Sequence, residues 1–152
     1  MKKLLLSVLF ISVFSYGQQS MSFKEAKEKG IYPEVENVYK PAIGPGGVFT
    51  TDEDVQKHIE AYQNFLKGLG DYLVKNNFKW EETTKGFNRI YMDITGKVEY
   101  YLYDFKTDIT QEKEKEFNRL LNGYIKRINF EITAPVKFAQ CSPFTFVATT
   151  DK

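Results

Sequence analysis

The sequence has little of what builds metal sites, disulfide frameworks or nucleic-acid interfaces. Its 152 residues include one cysteine and one histidine, and its formal net charge is only +1. One cysteine excludes an internal disulfide, and one histidine excludes a site built from several imidazoles. Near-neutrality argues against nucleic acid, whose phosphates favour a strongly basic face. We therefore expect no metal, no cofactor and no nucleic-acid partner.

Aromatic residues, by contrast, are plentiful, with 13 Phe, 10 Tyr and one Trp. Apolar residues make up 42% of the chain and charged residues 27%, which is typical of a folded protein rather than a disordered one. A chain of this length forms one domain and needs no metal or disulfide to stabilise it, because it buries roughly two-thirds of its unfolded surface.

Residues 1–17 have the pattern of a secretory signal peptide. Two lysines precede the apolar run from Leu4 to Phe14, which is about half the roughly 20 residues that a membrane span needs. Ser15 and Gly17 place small residues at the −3 and −1 positions of a cleavage site. We expect cleavage after Gly17 and a periplasmic or secreted protein that does not span the membrane.

Cys141 is expected to be a small buried residue, with intermolecular pairing as the alternative.

The mature chain divides into an N-terminal extended segment, residues 18–47, and an α+β domain, residues 48–152. The segment contains a short helix predicted around Phe23–Lys29, which Gly30 ends. Pro45 and Gly46 suit the central positions of a turn before the domain begins.

Two amphipathic helices are predicted in the domain. The first begins near Thr51, where either Thr50 with Glu53 or Thr51 with Asp54 forms a capping pair, and it ends near Asn76. The second runs from about Thr110 to Asn129. Apolar residues recur at helical spacing in both, at Val55, Ile59, Tyr62, Leu66, Leu69 and Leu73 and at Phe117, Leu120, Leu121, Tyr124, Ile125 and Ile128. His58 lies beside the first stripe, and we interpret it as a surface or packing residue.

Two alternating segments on either side of Gly96 predict a β-hairpin. A turn with Gly96 in the left-handed conformation keeps the apolar side chains of both strands on one face. It places Met92 opposite Val98 and Ile90 opposite Tyr100. The other face then carries Arg89, Tyr91, Glu99, Tyr101 and Tyr103.

A last strand is predicted over Phe144 to Thr149. With the order helix, strand, strand, helix, strand, we expect a two-layer α+β fold. Its sheet is a three-stranded antiparallel sheet in the order 2-1-3, with two main helices on one face. This arrangement leaves the last strand with an open edge and the other face of the sheet uncovered and rich in tyrosine.

From Pro41 to Thr149 the chain resembles the C-terminal domain of TonB-type proteins. The matching features are a Pro-containing turn at Gly46-Gly47 before a helix, the helix end at residues 72–76, strands joined by Gly96-Lys97-Val98, and Ala134-Pro135 before a final strand. The resemblance is to an exported form without the family's membrane anchor. It implies a domain that binds short peptide segments of other proteins by strand addition.

We therefore expect a non-catalytic binding module whose partner is a peptide or a protein in the periplasm or outside the cell. The predicted contacts are the aromatic face and the open edge, namely Arg89, Tyr91, Tyr101, Tyr103, Thr145 and Val147. A homodimer through the edge strand or through Cys141 is a further expectation. The competing interpretation is that the tyrosines pack under residues 20–40 of the same chain.

Two other functions are open at this point. A small periplasmic hydrolase would need two convergent carboxylates, and the candidates are Asp93, Glu99, Asp104 and Asp108. An inhibitor or immunity-type protein would bind another exported protein, and the sequence does not separate it from a general binding module.

Overall fold

The computed structural model describes residues 17–149, which fold around a mixed sheet of five strands. The strands are β1 (Gln19–Ser22), β2 (Lys40–Pro41), β3 (Thr84–Met92), β4 (Val98–Phe105) and β5 (Phe138–Phe146), in the order β1-β4-β3-β5-β2. The helices are α1 (Phe23–Glu28), α2 (Asp52–Lys75) and α3 (Gln111–Ile125), with a 3-10 helix at Glu34–Asn37. The predicted signal peptide lies outside the described residues except for Gly17.

The α+β class is confirmed, but the prediction of a three-stranded antiparallel sheet is wrong. The strands β4 and β5 pair antiparallel with β3, whereas β1 pairs parallel with β4 and β2 pairs parallel with β5. The two added strands have four and two residues, and most of those residues are polar. Such segments are too short for an alternating pattern to be recognised, so only their partners reveal them as strands.

The helices α2 and α3 cover one face of the sheet. Of the two capping pairs that the sequence allows, the structure has Thr51 with Asp54, because the Thr51 side chain accepts a hydrogen bond from the Asp54 amide. Asn76 ends the helix, as predicted. Both helices pack on the even-numbered side chains of β3, including Ile90 and Met92. His58 lies within this core with 1% of its surface exposed, which makes it a packing residue. Within residues 17–149, no helix is long and apolar enough to cross a membrane.

Two glycines allow α2 and α3 to approach each other closely. A Cβ atom at Gly68 would lie 2.5 Å from the Tyr124 hydroxyl, and one at Gly123 would lie 2.8 Å from the Tyr72 hydroxyl. The Tyr124 hydroxyl also donates a hydrogen bond to the Phe65 carbonyl at 2.8 Å. Gly123 costs the helix some intrinsic stability, and in return it makes room for a tyrosine of the facing helix.

The hairpin follows the predicted turn but not the predicted register. Gly96 has φ +83°, and Met92 lies opposite Val98, both as predicted. Tyr91 then pairs with Tyr100, so Glu99 has no partner on β3 and forms a β-bulge. Side chains alternate between the two faces of a strand, so the extra residue moves every later side chain of β4 to the face opposite the predicted one. Ile90 therefore lies opposite Tyr101, and the expected pairing with Tyr100 is wrong.

The second face of the sheet is not left open, as the predicted arrangement implied. The chain from β1 through the 3-10 helix folds across it and forms a second, smaller core. That core consists of Met21, Ala26, Val35, Tyr39, Tyr91, Leu102 and Ala139. Residues 20–39 thus act as a cover on this face, and we call them the N-terminal cover.

Candidate functional site

The residues predicted to form an aromatic binding face do not share one surface. Because of the bulge, Tyr101 and Tyr103 point into the core under α2 and α3, where they are 1% and 2% exposed. Tyr91 points to the opposite face but is fully buried beneath the N-terminal cover. The competing interpretation, packing under residues 20–40, describes Tyr91 correctly. Of the predicted contact residues, only Arg89, Thr145 and Val147 reach solvent.

Arg89 and Tyr91 bind the chain's own Glu36. The Glu36 carboxylate accepts a hydrogen bond from the Tyr91 hydroxyl and forms an ion pair with the Arg89 guanidinium. Burial, followed by the hydrogen bond to Glu36, raises the pKa of Tyr91 well above its ordinary value. This cluster fixes the 3-10 helix on the sheet and occupies the polar groups that a peptide would have needed.

A second cluster of one tyrosine, one glutamate and one basic side chain lies at the bulge. In this cluster the tyrosine and the glutamate come from the opposite parts of the chain. Here Tyr39 comes from the N-terminal cover and Glu99 from the sheet, and the hydroxyl donates to the carboxylate at 2.5 Å. The Lys137 ammonium lies 2.9 and 2.7 Å from the two Glu99 oxygens and 5.5 Å from the centre of the Tyr39 ring. Burial, followed by Glu99, raises the pKa of Tyr39 far above its ordinary range.

The second cluster lines a cleft of about 630 Å³ between the N-terminal cover and β4. Such a volume is typical of sites for small organic ligands. Apolar side chains and four charged side chains line it together. The lining residues are Gly17, Lys29, Gly30, Ile31, Glu34, Val35, Val38, Tyr39, Glu99, Tyr100 and Lys137.

Val38 is the most exposed apolar side chain of the cleft, with 60% of its surface accessible, although Val35 and Tyr39 beside it are buried. A β-branched residue so exposed next to a concave apolar wall contributes little to folding. A ligand in the cleft would cover it.

The outer edge of β5 is poorly suited to strand addition. The amides of Lys40 and Ala42 bond the carbonyls of residues 137 and 139, so odd-numbered backbone groups of β5 face outward. Beyond β2, the outward-facing position 143 is a proline and offers no N–H. The Cys141 and Pro143 carbonyls accept hydrogen bonds from Gln140 and Ser142 side chains at 3.1 Å. Thr145 and the exposed Val147 lie past this protected stretch.

The opposite edge of the sheet is protected by α3. The Ser20 amide donates to the Asn122 side chain at 3.0 Å, and the Ser20 hydroxyl bonds the Asn118 side chain at 2.6 Å. Side chains of a neighbouring helix thus satisfy outward groups of β1, which limits pairing with another strand.

Three of the four candidate carboxylates of the hydrolase hypothesis have a partner, and the fourth, Asp108, lies apart from them. Asp93 accepts hydrogen bonds from Thr95 and Lys97 within its own turn, and Asp104 pairs with Lys106. Glu99 pairs with Lys137, and Asp108 lines a separate small depression near the start of α3. A general acid needs a raised pKa, but hydrogen bonds to Thr95 and Lys97 hold the pKa of Asp93 below its usual value.

Cys141 is exposed, so the expectation of a buried thiol is wrong. It sits on β5 opposite Arg89, on the face away from α2 and α3.

Among residues 17–149, no cluster of three or more His, Cys, Asp or Glu side chains could hold a metal ion.

No protein-family model, no curated protein and no solved structure matches the chain. The resemblance to TonB-type domains therefore stays a prediction.

Sequence reasoning missed the cleft because its parts are far apart along the chain. Tyr39 and Glu99 are 60 residues apart, and Lys137 is another 38 residues beyond Glu99. One signal was available, since apolar residues such as Ile31, Val35 and Tyr39 recur within a segment rich in charged residues.

Proposed function

We propose that this protein is a non-catalytic binding protein that holds a small amphipathic ligand in the cleft beside Glu99. The observation that carries the proposal is the cleft itself, in which apolar side chains and the Tyr39–Glu99–Lys137 cluster line one cavity. A ligand pocket of this kind buries an apolar body and orients it with a few fixed polar groups.

The polar side chains of the Tyr39–Glu99–Lys137 cluster are held in place by one another in the absence of a ligand. Glu99 accepts hydrogen bonds from both Tyr39 and Lys137, which restricts the carboxylate and the ammonium to one arrangement. The bulge positions Glu99, because the extra residue directs this side chain out of the regular ladder. Preorganisation of this kind favours binding, since less conformational entropy is lost when a ligand is ordered.

Two other ideas receive less support. Strand addition at β5 would have to bypass Pro143, and the tyrosine-rich face is divided between two cores. A hydrolase would need two paired carboxylates, whereas Glu99, Asp104 and Asp93 each bind a partner other than a carboxylate. The resemblance to a peptide-binding family agrees with a binding role, and the partner in this proposal is small.

The proposal is tested with 1-anilinonaphthalene-8-sulfonate, a fluorescent probe with apolar rings and one anionic group. Val38→Glu places a charge at the cleft, and Val74→Glu is the matched control, because Val74 is 58% exposed on α2, outside the cleft lining. We expect the wild type and Val74→Glu to bind the probe equally and Val38→Glu to bind about tenfold more weakly. Absence of binding by the wild type, or equal binding by both variants, would contradict the proposal.

We further propose that the protein is exported and begins at Gln18 after processing. The support is the basic start, the short apolar run and the small residue at Gly17. The intact mass of natively exported protein tests this. A mass that still includes residues 1–17 would rule it out.

A further inference from the structure

We propose that removal of residues 1–17 places the α-ammonium group of Gln18 in the cleft, and that the completed cleft selects an amphiphile with one carboxylate. This inference rests on the proposed function and on processing after Gly17, because it names the ligand class that the processed cleft favours. The place of Gly17 in the cleft and the register of β1 support it.

Gly17 brings the processing site to the cleft. It is one of the lining residues and has no side chain, so its backbone atoms form that part of the lining. Every backbone atom of Gly17 is within three covalent bonds of the Gln18 nitrogen, a distance below ~4 Å. Cleavage after Gly17 turns this nitrogen from a peptide N–H into a free amino group. The new group therefore lies at the cleft.

Two contacts that do not involve the removed segment hold Gln18 in this position. Its side-chain amide donates a hydrogen bond to the Ile125 carbonyl at the end of α3, and the next residue, Gln19, pairs with Tyr100 of β4. Because parallel strands advance together, the backbone of Gln18 lies beside that of Glu99, one strand spacing away at ~4.8 Å. The α-ammonium thus approaches Glu99 from the β1 side.

The α-ammonium adds a second cationic group beside Glu99. At neutral pH it is protonated, since the ordinary pKa of an α-amino group is about 7.7–8.0. The Lys137 ammonium already lies 2.9 and 2.7 Å from the two Glu99 oxygens, and the Tyr39 hydroxyl donates to the same carboxylate. Two cationic groups therefore adjoin one carboxylate, whose oxygens already accept hydrogen bonds.

The other charged lining residues do not compensate for the added charge. Lys29 and Glu34 have opposite charges that cancel, and Glu34 is exposed to solvent, which screens it. Glu25 pairs with Lys29 at 2.7 Å but does not line the cleft. With three cationic groups against two carboxylates, the lining of the processed cleft has a net charge of +1.

A ligand with one carboxylate matches this charge. It gains charge-assisted hydrogen bonds from the α-ammonium and attraction from Lys137, whose side chain is 41% exposed. The apolar body of the same ligand covers Val38, which is 60% exposed at the cleft. A cationic head group would face two positive charges, and an uncharged one would leave them without a partner.

The first test compares three head groups on one tail. Isothermal titration calorimetry measures the binding of decanoate, decanol and decyltrimethylammonium to the exported protein. We expect decanoate to bind about tenfold more tightly than decanol, and decyltrimethylammonium to bind most weakly. Equal binding of the three compounds, or tightest binding of the cation, would overturn the inference.

The second test removes the charge of the α-ammonium. Acetic anhydride at a pH of about 6.5 acetylates the α-amino group in preference to lysine side chains, whose pKa of ~10.4 is higher. We expect acetylation to weaken decanoate binding about fivefold and to leave decanol binding unchanged. Decanoate binding that does not respond to acetylation would overturn the inference.

Lys137→Gln should weaken decanoate binding by a similar factor. Lys115→Gln is the matched control, because Lys115 is an exposed lysine of α3 outside the cleft lining, and it should have no effect. Equal decanoate binding by the two variants would contradict the role of Lys137. If Lys137→Gln fails to fold, the acetylation experiment decides alone.

The intact mass of the exported protein establishes the state of its N-terminus. A mass that still includes residues 1–17 would overturn the inference, and so would loss of ammonia from Gln18, because cyclisation to pyroglutamate removes the α-ammonium. The proposed function stands apart from these outcomes as long as the fluorescent probe binds and requires Val38. Absence of probe binding by the wild type would instead remove the proposed function.

Discussion

The Tyr39 hydroxyl donates a hydrogen bond of 2.5 Å to the Glu99 carboxylate, which joins the N-terminal cover to the bulge of β4. A second tyrosine–carboxylate pair, Tyr91 and Glu36, joins the same two parts of the chain with the roles exchanged. The rings of Tyr39 and Tyr91 pack edge to face, with centroids 5.0 Å apart. The two clusters together hold the cover on the sheet and thereby form the wall of the cleft.

Tyr39→Phe should lower the free energy of unfolding by about 1–2 kcal/mol, because it removes a hydrogen bond to a charged acceptor. Tyr32→Phe is the control, since the Tyr32 hydroxyl makes no hydrogen bond within residues 17–149 while its ring packs on Phe23. Chemical denaturation measures both. Equal effects of the two variants would mean that the Tyr39 hydroxyl does not stabilise the cover.

Glu36→Ala should destabilise the protein by about 1.5–3 kcal/mol, since it leaves the Arg89 guanidinium and the Tyr91 hydroxyl without their shared acceptor. Glu34→Ala, two positions away on the same 3-10 helix, should change stability by less than about 0.5 kcal/mol because Glu34 is exposed. The comparison uses thermal or urea unfolding. Similar losses in both variants would argue against the ion pair as an anchor of the cover.

Gly96→Ala should cost about 2–3 kcal/mol, because the residue has φ +83° and a new Cβ would meet the Phe130 and Ile132 carbonyl oxygens. Gly70→Ala is the matched control: Gly70 is in α2, and a Cβ there meets nothing within 4 Å. That substitution should stabilise the protein by up to about 1 kcal/mol. A cost near zero for Gly96→Ala would contradict the turn.

Stability should fall as the pH drops below about 6.5, the ordinary pKa of histidine. Burial lowers the pKa of His58 in the folded state. Between the folded and unfolded pKa values, the imidazole is therefore protonated in the unfolded chain and neutral in the folded protein. The free energy of unfolding then decreases with falling pH, by at most about 1.4 kcal/mol per pH unit, until the folded pKa is reached. Urea unfolding between pH 7 and 5 measures this slope, which His58→Gln should flatten. An unchanged slope in that variant would assign the pH dependence to other groups.

Much of the helical structure was predictable from local chemistry. Thr51 and Asp54 mark the start of α2, and the apolar stripe of α3 continues to Ile125, close to the predicted extent. These signals depend on residues three or four positions apart, so the sequence contains them.

The sheet was harder to predict, since one inserted residue changes the face on which the following side chains of a strand lie. The bulge at Glu99 transfers Tyr101 and Tyr103 to the other face, and no alternation in β4 marks the inserted residue. The strands β1 and β2 exist because longer strands offer them partners. The candidate site shares this difficulty, because Tyr39, Glu99 and Lys137 meet only after the cover has folded.

The most direct test of the cleft is a titration of 1-anilinonaphthalene-8-sulfonate into the 15N-labelled protein, followed by amide chemical shifts. Binding in the cleft predicts that the largest changes occur in residues 29–39, at Glu99 and Tyr100, and at Lys137. Changes confined to Thr145 and Val147 would instead locate the contact at the end of β5. That outcome, or no change at millimolar probe, would contradict the account.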